Sequence, residues 1–276
     1  MLRQEDSRFE WIVVDDGSED DTHSLVESWA RTTTLFPIRF FTLEHGGKQR
    51  AINYGVGKAL FPLFFIVDSD DYLTADAVRK ILAWSGAVSE MPSVAGVSGA
   101  KGNKDLEYLS SPPVFKDDFI EISNLERKRY NLEADMAEVY KTEVLKKYPF
   151  PVWPGETFTP ENVVWDQMAL DGYRLRWYKD IIYICEYLDD GLTRGGIRLY
   201  MNNLIGCAMS QDMVAKSSRN LRKRVSAILE MDVACTLKRD FRFLRQSSFP
   251  FWSYFFLPVA WILSCRRRRR ISHIGQ

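Results

Sequence analysis

Three short apolar runs near the N-terminus alternate with helix-patterned segments, and each run ends in turn or acidic residues. WIVVDDGS, from Trp11, reads as a buried strand stopping at carboxylates, and the DDTHSLVESWA that follows has the apolar spacing of a helix. IRFFTLE, from Ile38, is a second strand. GGKQRAINYGVGKA then opens on a glycine pair and runs into a second helix, and LFPLFFIVDSDD is a third strand. The order β-α-β-α-β predicts an α/β fold, with a mostly parallel sheet flanked by helices on both faces. Ligands of such sheets sit beyond the carboxyl ends of the strands, where Asp15, Asp16, Asp68, Asp70 and Asp71 fall. Carboxylates this close repel one another when buried alone, so either water solvates them or a cation neutralises them.

A chain of 276 residues with 46% hydrophobic residues buries a real core, which excludes a disordered protein. Lys plus Arg and Asp plus Glu are equal at 37 each, so no net charge directs the whole molecule toward nucleic acid. Cys185, Cys207, Cys235 and Cys265 form no C-x-x-C pair, and only three histidines accompany them, which argues against zinc and for reduced cytosolic thiols. The chain opens on the polar MLRQEDSRFE instead of an apolar leader.

Further along, Thr74 is placed to cap a helix, SVAGVSGA reads as a strand, and MAEVYKTEVLKKYPFP as a strand followed by a short helix stopped by proline. Thr159 reads as an N-cap with Pro160 in the first turn, which puts Glu161 and Asn162 at a helix N-terminus. From about Leu199 to Gln246 the pattern is helical. The expected organisation is a catalytic domain over residues 1–198 and a helical, basic tail over 199–276.

Taken together, IVVDDGSEDDT, the GGKQRAIN loop, IVDSDD and a late acidic helix start resemble the family 2 glycosyltransferases of the GT-A fold, which is Rossmann-like. The resemblance covers roughly Phe9 to Thr193. It implies a nucleotide-sugar donor, with a UDP-sugar in first place, and Asp16 or Asp15 receiving the base. The D-x-D of the family matches Asp68-Ser69-Asp70, implying that Asp70 binds a metal through the sugar diphosphate while Asp68 lies near the ribose and the metal shell. Oxygen-only ligands point to Mg2+ or Mn2+. Lys48 supplies a positive charge near the nucleotide, and Gly46 and Gly47 let backbone approach the ligand.

Inverting transfer needs a carboxylate to deprotonate the acceptor hydroxyl. Family members usually carry Glu-Asp at a helix start for this, and here the pair is Glu161-Asn162. The resemblance therefore assigns the base to Glu161, with Asp166 a turn further on and Glu156 upstream as substitutes. A second departure lies at the beginning. The family pattern opens with an apolar strand and a Pro-containing loop for which MLRQEDSR leaves no room, so the expectation is a truncated transferase or an inactive one that serves as a membrane or partner binding module.

FPFWSYFFLPVAWILSC, from Phe249 to Cys265, is apolar and aromatic and runs into five arginines, Arg266 to Arg270. It is shorter than the roughly 20 apolar residues of a membrane span and contains Pro250 and Pro258, so an interfacial anchor is expected. That places the protein in the cytoplasm, peripheral at the inner face of the cell membrane, with no nucleic-acid partner. The acceptor is a glycan or a lipid-linked sugar. A receiver domain shares the acid spacing but expects a Met-Pro or similar turn soon after its phospho-acceptor, where this chain has DSDDYL.

Overall fold

The computed structural model describes residues 1–133, 136–185 and 196–274, with side chains as far as Arg270. The Thr193 limit of the family resemblance lies outside the described residues. The chain forms two compact units. One comprises Met1–Gly46, Arg50–Pro149 and Met168–Gly191; the other comprises Gly47–Gln49, Phe150–Gln167 and Leu192–Gln276.

In the first unit the N-terminal reading holds closely. β1 (Trp11–Asp15) and β2 (Ile38–Thr42) pair in parallel, joined by α1 (Thr22–Thr32). The register sets Trp11 against Ile38 and Asp15 against Thr42. Val26 is the buried residue of α1, and Trp29 stacks on Trp11 at 5.5 Å between ring centroids. α2 (Lys48–Lys58) follows, and Gly55 within it lies 3.6 Å from Val14 of β1 and 3.5 Å from Phe64, measured from where a Cβ would stand.

Strand directions are more mixed than the alternation predicts. β3 (Leu63–Phe65) is short, and it joins a second sheet instead of β1 and β2. That sheet runs in the order β3, β7 (Met136–Lys141), β5 (Val94–Gly102), β8 (Arg174–Ile184), β4 (Tyr72–Leu73), with β6 (Phe119–Ile122) also paired to β8. Among the described residues only β5 and β8 run parallel in it; the other pairings are antiparallel. The α/β class stands, but β3, β4, β6 and β7 pair antiparallel where the alternation predicts parallel neighbours. α3 (Ala77–Gly86) buries Ala77, Val78 and Ile81. Its N-cap is Asp76, to which the Thr74 hydroxyl donates at 2.8 Å, so Thr74 supports the expected cap instead of forming it. The core of this unit gathers Leu73, Ile81, Val97, Val139, Ile182 and Tyr183.

The second unit is helical: α5 (Asn162–Leu170) begins in it, and α6 (Gly196–Asn202), α7 (Leu204–Ser217), α8 (Leu221–Lys238) and α9 (Pro250–Ile274) complete it. The short α4 (Thr142–Leu145), ahead of the proline that was expected to stop it, belongs to the first unit. Ile205, Met231, Val233, Leu244 and Ala260 are fully buried in one cluster of the second unit. The Thr159 hydroxyl donates to the Pro151 carbonyl at 3.1 Å. Thr159 is therefore not the N-cap of α5, and the first turn is closed by the Pro160 and Glu161 carbonyls accepting from Val163 and Val164.

Asp232 is wholly buried on α8 beside Ser253 of α9, with neither carboxylate oxygen hydrogen-bonded among the described residues. Burial pushes its carboxyl up to about 7, with Ser253 pulling weakly the other way. The folded chain therefore holds a proton that the unfolded chain, with an aspartate near 3.9, has released. The thermal midpoint is expected to fall as pH rises from about 4 to about 7 and to level off above that. Asp232→Asn should flatten the profile, as followed by circular dichroism at several pH values.

Gly47 sits at φ +98°, and a Cβ there would run into the Thr157 carbonyl. Gly47→Ala should cost roughly 1–3 kcal/mol from backbone conformation alone, read as a lower denaturant midpoint with an unchanged m-value.

Candidate functional site

Each unit carries part of the acidic and basic constellation expected from the sequence. In the first unit, β1 delivers Asp15 and Asp16 to one strand end. Asp15 is buried, its carboxylate accepts from the Ser18 N–H at 2.9 Å, and its carbonyl accepts from the Leu43 N–H at 2.8 Å. These bonds make it the builder of the turn after β1. Asp16 is half-buried; one oxygen accepts from the Gly46 N–H at 2.9 Å and the other lies 2.9 Å from His45 Nδ1. Gly17, at φ +86°, completes the turn where backbone of His45 passes close by. Of the two acids Asp16 keeps more solvent access.

The DSDD segment follows β3 as a tight turn, with the Asp71 N–H donating to the Asp68 carbonyl at 3.2 Å. Asp68 and Asp71 are half-buried and Asp70 is exposed. The turn rests on β8 through Tyr183, whose hydroxyl accepts from the Asp68 N–H at 2.9 Å. Burial first, and the Asp68 charge second, push the Tyr183 hydroxyl far above its ordinary range, and it hydrogen-bonds Asp71. Cys185 Sγ lies 3.6 Å from Asp71 Oδ2, and the Lys101 ammonium stands 4.3 Å over the Tyr183 ring. Asp68, Asp70 and Asp71 are thus held in one turn on a rigid strand, with one member facing water.

In the second unit, Lys48 opens α2 and pairs with Glu161 at 3.1 Å, just before α5. Both side chains remain partly exposed, at 27% and 38%. Asn162 donates to Asp166 at 3.3 Å and accepts from the Ser210 hydroxyl at 2.9 Å, so the second position of the helix start is tied to α7. Glu156 is not a substitute base. It is buried and accepts from the N–H groups of Ile205 and Gly206 at 2.9 and 2.8 Å, with Lys238 at 3.2 Å. A carboxylate used this way caps α7 and complements its N-terminal dipole.

Three contributors went unread in the sequence. Tyr183 supports the DSDD turn, His45 flanks Asp16, and Asn203 accepts from the Thr157 and Phe158 N–H groups at 2.8 and 2.9 Å, fixing the loop before Glu161. His45 had a signal, since it directly precedes the glycine pair. Tyr183 and Asn203 act across 115 and 46 residues, a distance over which sequence pattern carries no trace.

The sequence profile of glycosyl transferase family 2 matches residues 1–146, more than half of the chain. No curated protein matches the sequence. Among solved structures, S. aureus TarS 1–349 in complex with UDP-GlcNAc is similar, at 17% identity and a TM-score of 0.61, covering 99% of this chain and 86% of that one. TarS 1–349 in complex with UDP aligns at 17% identity with a TM-score of 0.57, over 99% of this chain and 85% of that one. A longer S. aureus TarS chain aligns at 18% identity and a TM-score of 0.54 over 84% of this chain, which spans only 45% of it. At these identities the likeness is one of fold: a sheet flanked by helices, similar to the GT-A glycosyltransferases, with a helical C-terminal region. The profile match carries the classification, and the chain belongs to glycosyl transferase family 2.

Proposed function

We propose that this glycosyltransferase moves a sugar from a UDP-sugar to a hydroxyl of a glycan or lipid-linked acceptor, with inversion at the anomeric carbon. The observation that carries the reading is the DSDD turn after β3, seated on Tyr183 with Asp70 exposed, in a chain matched by the family profile. The UDP-GlcNAc and UDP held by the structurally similar TarS support uridine as the donor base.

Among the described residues, no group of three or more His, Cys, Asp or Glu side chains forms a ready-made metal cage. A hard divalent cation needs none, because Mg2+ is commonly held by one or two carboxylates with substrate phosphates and water completing the shell. Asp70 and Asp68 offer hard oxygen donors of that kind, and they would hold Mg2+ or Mn2+. Bound there, the ion supplies positive charge that offsets the charge of the diphosphate.

The residues of the chain have separate tasks. Asp16 accepts a ring N–H of the base, and Asp15 keeps the turn that presents it. Glu161 takes the proton of the acceptor hydroxyl. As the acceptor oxygen bonds to the anomeric carbon from one face, the bond to the diphosphate oxygen breaks on the other, and the electron pair leaves with the nucleoside diphosphate. The Lys48 ammonium, 3.1 Å from Glu161, holds that carboxylate in place for the transfer. Asp166, tied to Asn162, keeps the first turn of α5 in place.

Asp70→Asn is expected to abolish Mn2+-dependent binding of UDP in calorimetry while leaving the circular dichroism spectrum intact; unchanged binding would remove Asp70 from the donor site. Glu161→Gln should lower UDP release from UDP-GlcNAc about 10²–10⁴-fold, the usual worth of a general base, with UDP affinity preserved. A variant that turned over normally would take the base role away from Glu161.

A further inference from the structure

The helix α9 is built with its apolar side outward. Ser253, Ala260 and Ser264 are the buried positions that pack it toward the core, whereas Phe251 is 74% exposed, Phe255 65% and Trp261 63%. Phe251, Phe255, Pro258 and Ile262 are spaced by four, three and four residues, so they fall on one stripe of the helix, all exposed. Trp252 and Val259 flank the stripe on one side and Tyr254 on the other, each also exposed. The same spacing continues from Ile262 to Arg266 and Arg269, so the aromatic stripe ends in exposed guanidinium groups on its own face.

Arg267 pairs with Glu230 at 2.9 Å and bonds the Tyr200 hydroxyl, and Arg268 donates to the Thr236 and Leu237 carbonyls, fastening the end of α9 to α8. Arg266, Arg268, Arg269 and Arg270 are exposed. No acidic residue occurs anywhere in Pro250–Ile274, so a second copy of this face would bring only like charge to the arginine end. Lipid phosphates bring the opposite charge, and aromatic rings with Trp and Tyr at their margins suit the boundary between headgroups and acyl chains. No helix among the described residues is long and apolar enough to cross a membrane.

We propose that α9 is a membrane-docking helix that lies flat on an anionic lipid surface, with the Phe251–Ile262 stripe in the acyl boundary and Arg266, Arg269 and Arg270 on the phosphates. This inference goes beyond the transfer reaction and stands independently of it.

The test is flotation of the full chain with phosphatidylglycerol–phosphatidylcholine vesicles and, separately, with phosphatidylcholine vesicles alone. The chain should float with the anionic vesicles. Replacing Arg266, Arg269 and Arg270 together by Gln should weaken that partition on the order of a hundredfold, since each such charge contributes about a fivefold factor near the surface. Phe255→Ser with Trp261→Ser should weaken it at least tenfold without lowering the thermal midpoint, because both side chains are exposed. Failure to float with either vesicle, equal flotation with both, or concentration-dependent dimerisation lost in the Phe255→Ser/Trp261→Ser variant would each overturn the proposal.

Discussion

The first unit depends on the pairing of β8. This strand bonds to β5, β4 and β6, buries Trp177, Ile182 and Tyr183, and sends the Tyr183 hydroxyl to the turn that holds Asp68. The Trp177 indole donates to the Ile122 carbonyl at 3.1 Å, and Arg176 pairs with Glu121 while covering the Phe119 ring, so β6 is attached by side chains as well as by its ladder. The position of the DSDD acids therefore depends on a strand about a hundred residues later. A turn whose backbone is fixed from below can leave one carboxylate in water and two half-covered, a graded exposure that a loose acidic loop cannot maintain.

The carboxylates of this chain show why acid clusters in a sequence are ambiguous. Asp15 and Glu156 are occupied by backbone N–H groups, Asp212 holds the Ser248 N–H and hydroxyl, and Asp232 has no such partner among the described residues and is pushed toward its neutral form. Asp70 and Glu161 keep more access to water. Residue type alone does not separate these groups. Burial and the direction of nearby N–H groups do, and both are products of tertiary structure.

Much of the N-terminal architecture was legible because its signals are local. WIVVD and IRFFT are short β-branched and aromatic runs, and a helix lies between them, so a parallel pair was the only economical arrangement. The glycine pair before α2 and the proline after α4 also declared themselves. The third strand was read too long, since Ile66 and Val67 carry strand-like side chains but lead into the DSDD turn without ladder partners. β8 passed unnoticed although RLRWYKDIIYI is rich in strand formers; its charged residues masked the pattern, and its partners lie far away in sequence. Thr159 had the composition of a cap, but its hydroxyl found the Pro151 carbonyl first. The acids after the third strand were legible as a cluster from their place at a strand end, with the D-x-D roles coming from the family resemblance, whereas their support by Tyr183 was visible only in three dimensions.

The connectivity of the two units bears on biosynthesis. The second unit takes Gly47–Gln49 and Phe150–Gln167 from within the span of the first, and the first is completed only by Met168–Gly191. β8 lies in that last piece, so on a translating ribosome the edges of β4, β5 and β6 emerge long before the strand that covers them. Unpaired edges of this kind invite mispairing with other chains. Nascent copies of this protein are thus exposed to a window of vulnerability set by the order of segments along the chain, during which a holdase chaperone has something definite to shield.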